Sequence, residues 1–130
     1  MEGSRQIQLI APAERGSVRL ARILAAGVAA DAGLSVDDTE DLRIAVSELV
    51  ALLVEEPEAG GPSIEVTFHR SDGEVTVEGH RRADAPPAGD SAQLDDLVLG
   101  ILRVVVDDHS YDVGRDGRRF RLVKRARATA

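Results

Sequence analysis

Apolar positions recur along this chain with two different periods, and the switches between them lay out eight elements. Gln6 to Ile10 alternates weakly and predicts a short strand, punctuated by Ala11-Pro12 and Gly16. Ser17 is suited to cap a helix, because its hydroxyl accepts a hydrogen bond from a free backbone N–H. Val18, Ala21, Leu24, Ala25, Val28 and Ala32 then share one helical face, and Gly33 is the expected stop. A second helix follows the acidic run Asp37, Asp38, Glu40 and Asp41, carboxylates that favour the positive end of a helix dipole. Leu42, Ala45, Val46, Leu49, Val50 and Leu53 form its apolar face, and Pro57 with Gly60-Gly61-Pro62 ends it.

The period then shortens to two. Ile64, Val66 and Phe68 alternate with polar residues, Ser71-Asp72-Gly73 turns the chain, and Val75 and Val77 alternate again, which predicts a hairpin with one buried face. Residues 83–93 read as a loop rich in Pro, Gly and Ala. Leu94, Leu97, Val98, Ile101, Leu102 and Val105 predict a third amphipathic helix. A last hairpin turns at Gly114-Arg115-Asp116-Gly117, with Phe120 and Leu122 on one side and Arg119 and Arg121 on the other. The order β-α-α-β-β-α-β-β, with helices set apart from hairpins, predicts a single α+β domain over residues 1–130. Its expected form is a two-layer sandwich, a mixed, mostly antiparallel sheet covered on one face by three helices.

Composition narrows the chemistry. The 130 residues suffice for one core, and the absence of cysteine excludes disulfides, a thiolate zinc site and a cysteine nucleophile. Charges interrupt every long apolar run, so no membrane span is expected, and the first residues lack the basic-then-apolar order of a secretory signal. A cytoplasmic protein is the expectation. Seven of the sixteen basic residues lie between Arg115 and Arg127, while the chain as a whole carries a net charge of −7. That balance argues against direct nucleic-acid binding, and three aromatic residues are too few for a base-stacking platform. The C-terminal basic alternation reads as the wet face of a sheet. His69, His80 and His109 are far apart in sequence, and no metal site is expected. The serines form no nucleophile-elbow motif.

Three stretches taken together resemble the serine-kinase anti-sigma factors, whose ATPase fold is shared with histidine kinases and gyrase. They are residues 17–22 (SVRLAR), residues 41–50 (DLRIAVSELV), and residues 99–107 (LGILRVVVD) followed by the Gly117 hairpin and residues 120–125 (FRLVKR). The likeness covers nearly the whole chain. In that family the second helix carries a Glu and, four residues on, an Asn, so that a base and a Mg²⁺ ligand share one face. Here the Glu position is Glu48, and the Asn position is Leu52, which offers no oxygen to a hard cation. The family's Asp-x-Gly-x-Gly, whose Asp accepts from adenine, is missing from residues 77–87 (VEGHRRADAPP). Its Gly-x-Gly-Leu entry to the third helix is reduced to Gly100 in Val98-Leu99-Gly100-Ile101, and close backbone approach to phosphate depends on such glycines.

Glu48 and Gly100 therefore read as remnants of a catalytic base and a phosphate cradle, and neither ATP nor Mg²⁺ is expected as a cofactor. The resemblance implies a regulator that sequesters a sigma factor and is released by a STAS-type anti-anti-sigma protein, working as a homodimer. Arg19 and Arg22 share a face of the first helix with Arg15 just before it. In the resembling family an arginine of this helix contacts both the sigma factor and its antagonist, which makes Arg15, Arg19 and Arg22 the candidate partner-binding residues. Two alternatives stay open: an atypical serine-protein kinase that uses other Mg²⁺ ligands, and an adaptor whose partner lies outside transcription.

Overall fold

A computed structural model describes residues 5–55, 60–83 and 94–127. The elements run β1 (Arg5–Pro12), α1 (Arg15–Asp31), α2 (Val36–Val54), β2 (Ser63–Ser71), β3 (Glu74–Arg82), α3 (Asp96–Val105), β4 (Asp108–Gly114) and β5 (Gly117–Arg125). The strands form one sheet in the order β1-β2-β3-β5-β4, and all four pairings are antiparallel. The architecture is the expected two-layer α+β sandwich, with a sheet that is antiparallel throughout rather than mixed. Pro57 and nearly all of the 83–93 loop lie outside the described residues.

Period-two alternation decides which face of the sheet is covered. Ile64, Val66, Phe68, Val75, Val77 and Leu122 are fully buried and Phe120 nearly so, all in the core formed with the helices. Their neighbours Glu65, Glu78, Arg119 and Arg121 face outward. The hairpin turns use glycine where the backbone demands it: Gly73 and Gly117 have positive φ, a region that costs a Cβ-bearing residue.

The first helix starts earlier than its sequence suggests. Glu14 is the N-cap residue and makes no side-chain cap, so the helix begins at Arg15. Ser17 sits inside the first turn, buried, and its hydroxyl donates to the Pro12 carbonyl at 2.6 Å. It ties helix to strand rather than capping the helix. At the other end Gly33 stops α1 as expected: at φ 81° its N–H reaches Ala30 O at 3.1 Å, and the Leu34 N–H reaches Ala29 O at 3.0 Å. Ala21, Ala25 and Ala29, all fully buried, let α1 lie close to α2 and to β2.

Helix α2 is the spine of the core. Leu42, Ala45, Val46, Leu49, Val50 and Leu53 are all fully buried, the face expected for it. Ser35 caps it by accepting from the Asp38 N–H at 3.0 Å. Helix α3 buries a narrower face than predicted: Leu102 and Val105 are buried, Leu94, Val98 and Ile101 pack partly against the core, and Leu97 is 74% exposed.

Candidate functional site

The two ends of α2 are each fixed to the sheet by charged residues that it buries. At the N-terminus, Asp38 is 1% exposed and sits against Lys124, 4% exposed, with Nζ 3.5 Å from its Oδ1. Lys124 lies equally far from Asp41 Oδ2. The Arg127 backbone N–H donates to Asp38 Oδ2 at 3.0 Å, its Nε lies 3.1 Å from Asp38 Oδ1, and its guanidinium also pairs with Asp41. Burial raises the Asp38 carboxyl. The Arg127 N–H, the Lys124 charge, the Ser35 hydroxyl and the Arg127 charge together outweigh that effect and hold it below the ordinary carboxylate range.

At the C-terminus of α2, two arginines that are register partners on β3 and β5, Arg81 and Arg118, are both buried. Arg81 donates from one terminal nitrogen to Leu53 O at 2.9 Å and from Nε to Gly61 O at 3.0 Å. Arg118 donates to Leu52 O at 2.8 Å. The Leu52 and Leu53 carbonyls are ones that the last turn of a helix leaves without intrahelical partners, at the negative end of its dipole. Burial, and next the neighbouring Arg118 charge, pull Arg81 below its ordinary value.

The residues that the sequence singles out for nucleotide chemistry are placed around this second cluster. Glu48 is half-buried on α2, one turn before Leu52. Leu52 packs its partly buried side chain against the core and gives its carbonyl to Arg118. Gly100 lies one turn inside α3, exposed, with no atom within 4 Å of where a Cβ would stand. Gly79 belongs to the covered face of β3, and the Phe120 ring lies over it so closely that a Cβ there would stand 2.1 Å from Cε2. Among the described residues no group of three or more His, Asp or Glu side chains is arranged to hold a metal ion.

Sequence reasoning missed the four cations that hold α2. It placed the C-terminal basic residues on a wet face, which is correct for Arg119, Arg121 and Arg125 but not for Arg118 and Lys124. The signal was present in the alternation: Arg118, Phe120, Leu122 and Lys124 are two apart, so a face that buries the middle pair must also take in the outer two.

Arg15, Arg19 and Arg22 are all exposed on α1, and none of the three forms a salt bridge among the described residues. They occupy one stripe of the helix. The open face of the sheet carries a shallow depression of about 380 Å³, lined by Glu65, Thr67, Glu78, His80, Arg119 and Arg121 among others. Charges around it are already paired, with His69 Nε2 3.1 Å from Glu78 Oε1, Arg121 3.9 Å from Glu78 Oε2, and Arg119 bound to Asp116. It is the solvated side of the sheet. Among the described residues no helix is long and apolar enough to cross a membrane.

Comparison with known proteins bears on the fold and the family. No curated protein matches the chain. The crystal structure of the RsbU and RsbW domains of Rv1364c from Mycobacterium tuberculosis superposes with a TM-score of 0.69 at 21% sequence identity, covering 97% of this chain and 34% of that one. The chain thus spans about a third of that protein's crystallised length, and the likeness is one of fold. The family model for the histidine kinase-like ATPase domain matches residues 11–124, from the end of β1 through most of β5, and the chain belongs to that family.

Proposed function

We propose that this domain is an anti-sigma-type regulator that acts by binding protein, and that it does so without ATP-dependent phosphoryl transfer. In this reading it sequesters a sigma factor, a STAS-type antagonist competes for the same surface, and the domain self-associates as a homodimer. The observation that carries the reading is the stripe of three exposed arginines on α1, without salt-bridge partners among the described residues of an otherwise acidic chain. Arginine suits such a role because its planar fork makes paired hydrogen bonds to carboxylates. The structural likeness to a protein that contains an RsbW domain supports it by analogy of fold.

The donor set around Glu48 does not fit a magnesium nucleotide. Phosphoryl transfer is mostly positioning and charge neutralisation by metal and backbone amides. Here the metal-ligand position is an apolar side chain packed against the core, and the glycine expected to cradle phosphate lies inside a helix. Release of the sigma factor then rests on competition, or on modification by another protein, instead of phosphorylation of the antagonist by this domain.

The test is charge reversal, Arg19→Glu with Arg22→Glu, assayed against the sigma factor that co-purifies with the tagged wild-type chain. Loss of one interfacial hot-spot arginine costs about 2 kcal/mol, roughly thirtyfold in Kd, and the double variant should lose at least that with unchanged circular dichroism. Unchanged affinity refutes the α1 surface. Micromolar Mg-ATP binding by calorimetry refutes the nucleotide-independent half of the reading and favours the serine-protein kinase alternative.

A further inference from the structure

Beside the arginine stripe, α1 carries a second exposed stripe of different chemistry. Gly16, Leu20, Ile23 and Gly27 follow the spacing i, i+4, i+7, i+11 and therefore line one side of the helix. Leu20 is 49% exposed and Ile23 60% exposed, although the buried face of α1 is already complete with Ser17, Ala21, Ala25, Val28 and Ala29. Single exposed apolar residues are ordinary on protein surfaces. Two that are adjacent on one helical stripe, next to a row of cations without salt bridges among the described residues, form an ordered amphipathic strip.

Gly27 adds an independent point. A glycine inside a helix is unfavourable relative to alanine, because it loses more backbone freedom on folding. Close packing within the domain would explain such a choice, but no atom lies within 4 Å of where the Gly27 Cβ would stand, and Gly16 is equally open. Nothing among the described residues requires either residue to be small.

We infer that this strip seats an amphipathic helix of a partner protein, with apolar residues on Leu20 and Ile23, its backbone crossing close over Gly27, and acidic side chains reaching Arg15, Arg19 and Arg22. The inference rests on the α1 surface proposed above and specifies what binds there. Charge complementarity selects the occupant. A second copy of this chain on a two-fold axis would bring the same patch against itself, crowding both arginine stripes at one seam. A basic helix would be repelled by the same residues. An acidic one satisfies the arginines and covers the apolar strip together.

The experiment uses the full chain, labelled for amide NMR, and two synthetic helical peptides of about five turns. Both carry leucines along one face; one has glutamates flanking them and the other has lysines in the same places. Expected are saturable shifts confined to α1 with the acidic peptide, and at least tenfold weaker binding of the basic one. Leu20→Ser with Ile23→Ser should weaken the acidic peptide at least tenfold. Gly27→Gln should weaken it similarly while the melting temperature holds or rises, since helix propensity improves and space is open. Equal binding of both peptides, shifts centred away from α1, no effect of Gly27→Gln, or α1 amides broadened by self-association alone overturns the inference. Against the co-purified partner the two readings fail separately. Affinity lost in the arginine reversal but kept in the Leu20/Ile23 variant sinks the apolar seat alone, and the opposite pattern sinks the arginine surface alone.

Discussion

Replacing Asp38 by asparagine removes one charge from a buried cluster while keeping the side chain's shape. Asp38 faces Lys124 at 3.5 Å and the Arg127 Nε at 3.1 Å, at the positive end of α2. Asparagine keeps a carbonyl oxygen for the Arg127 N–H, so that hydrogen bond weakens without vanishing. Breaking a buried ion pair by deleting one partner costs about 3–5 kcal/mol when the other charge is left alone. Lys124 is not left alone, because Asp41 lies equally close, and that lowers the cost to about 2 kcal/mol. The lost helix-dipole interaction adds up to about 1 kcal/mol, and the largely solvated Arg127 guanidinium adds little. The sum is about 3 kcal/mol. At about 2.1 cal/mol/K of unfolding entropy per residue, a chain of 130 residues loses about 11 °C of melting temperature.

The pH dependence has a definite sign. Asp38 titrates lower in the folded protein than its ordinary value of 3.8. A carboxyl of this kind contributes stability that is complete above its unfolded pKa and is lost as pH falls through the folded one. Asparagine does not titrate. The gap between wild type and Asp38→Asn, measured by thermal circular dichroism, should therefore be constant above about pH 5 and close progressively below about pH 4. A loss smaller than about 4 °C at pH 7, a third of the value worked above, or a gap that widens in acid, refutes the role assigned to this carboxylate.

Other expectations follow from the same contacts. Gly79→Ala places a Cβ 2.1 Å from the Phe120 ring and should cost about 2–3 kcal/mol in urea unfolding; Phe120→Leu in the same chain should recover part of that loss. Arg81→Met leaves the Leu53 and Gly61 carbonyls unanswered, a loss of about 2–4 kcal/mol by the same measurement. Arg81→Lys should not restore it, because one ammonium cannot reproduce the fork that reaches both. Glu48→Ala should change partner affinity less than about threefold, under 1 kcal/mol, and a folded variant that loses regulation together with a phosphorylated antagonist would favour the kinase.

The sequence was most legible where a single period governs a long stretch. Six apolar positions of α2 and the alternating residues of both hairpins went to the core as predicted, because burying a full stripe outweighs any local preference. It was least legible at helix ends and for charged residues. Ser17 has the right side chain for a cap, yet Glu14 takes that position and the hydroxyl binds Pro12. Leu97 fits the periodicity of α3, but the helix is short and only lightly covered, so it stays outside. Arg118 and Lys124 fell within a stretch read as a wet face, on the rule that charges seek water, a rule that fails where a partner is built in, and nothing in the pattern singled out Asp38 or Arg81 for burial. Among the candidate site residues, the sequence placed Arg15, Arg19 and Arg22 together on one exposed helix; it gave no hint that Leu52 offers its carbonyl to Arg118.

The buried charges also bear on what stands behind the proposed α1 surface. In the family that this chain resembles, the second helix and the sheet behind it shape the nucleotide site. Here each end of α2 offers oxygens to cations, carboxylates to Lys124 and Arg127 at one end and carbonyls to Arg81 and Arg118 at the other. Any motion of α2 away from β3 and β5 breaks an ion pair, a helix-terminal hydrogen bond, or both, in surroundings where the separated groups would be poorly solvated. Such a helix serves as scaffold. Helix α1 is held differently, by small side chains packed on α2, a serine bridge to Pro12 at its start and an ion pair between Asp31 and Arg70 of β2 at its end. Its outer half carries apolar and cationic side chains without salt bridges among the described residues, so contact with a partner there breaks no such bond within the domain. A partner that docks on α1 thus meets a surface backed by a fixed core, and its binding energy need not be spent on rearranging the fold.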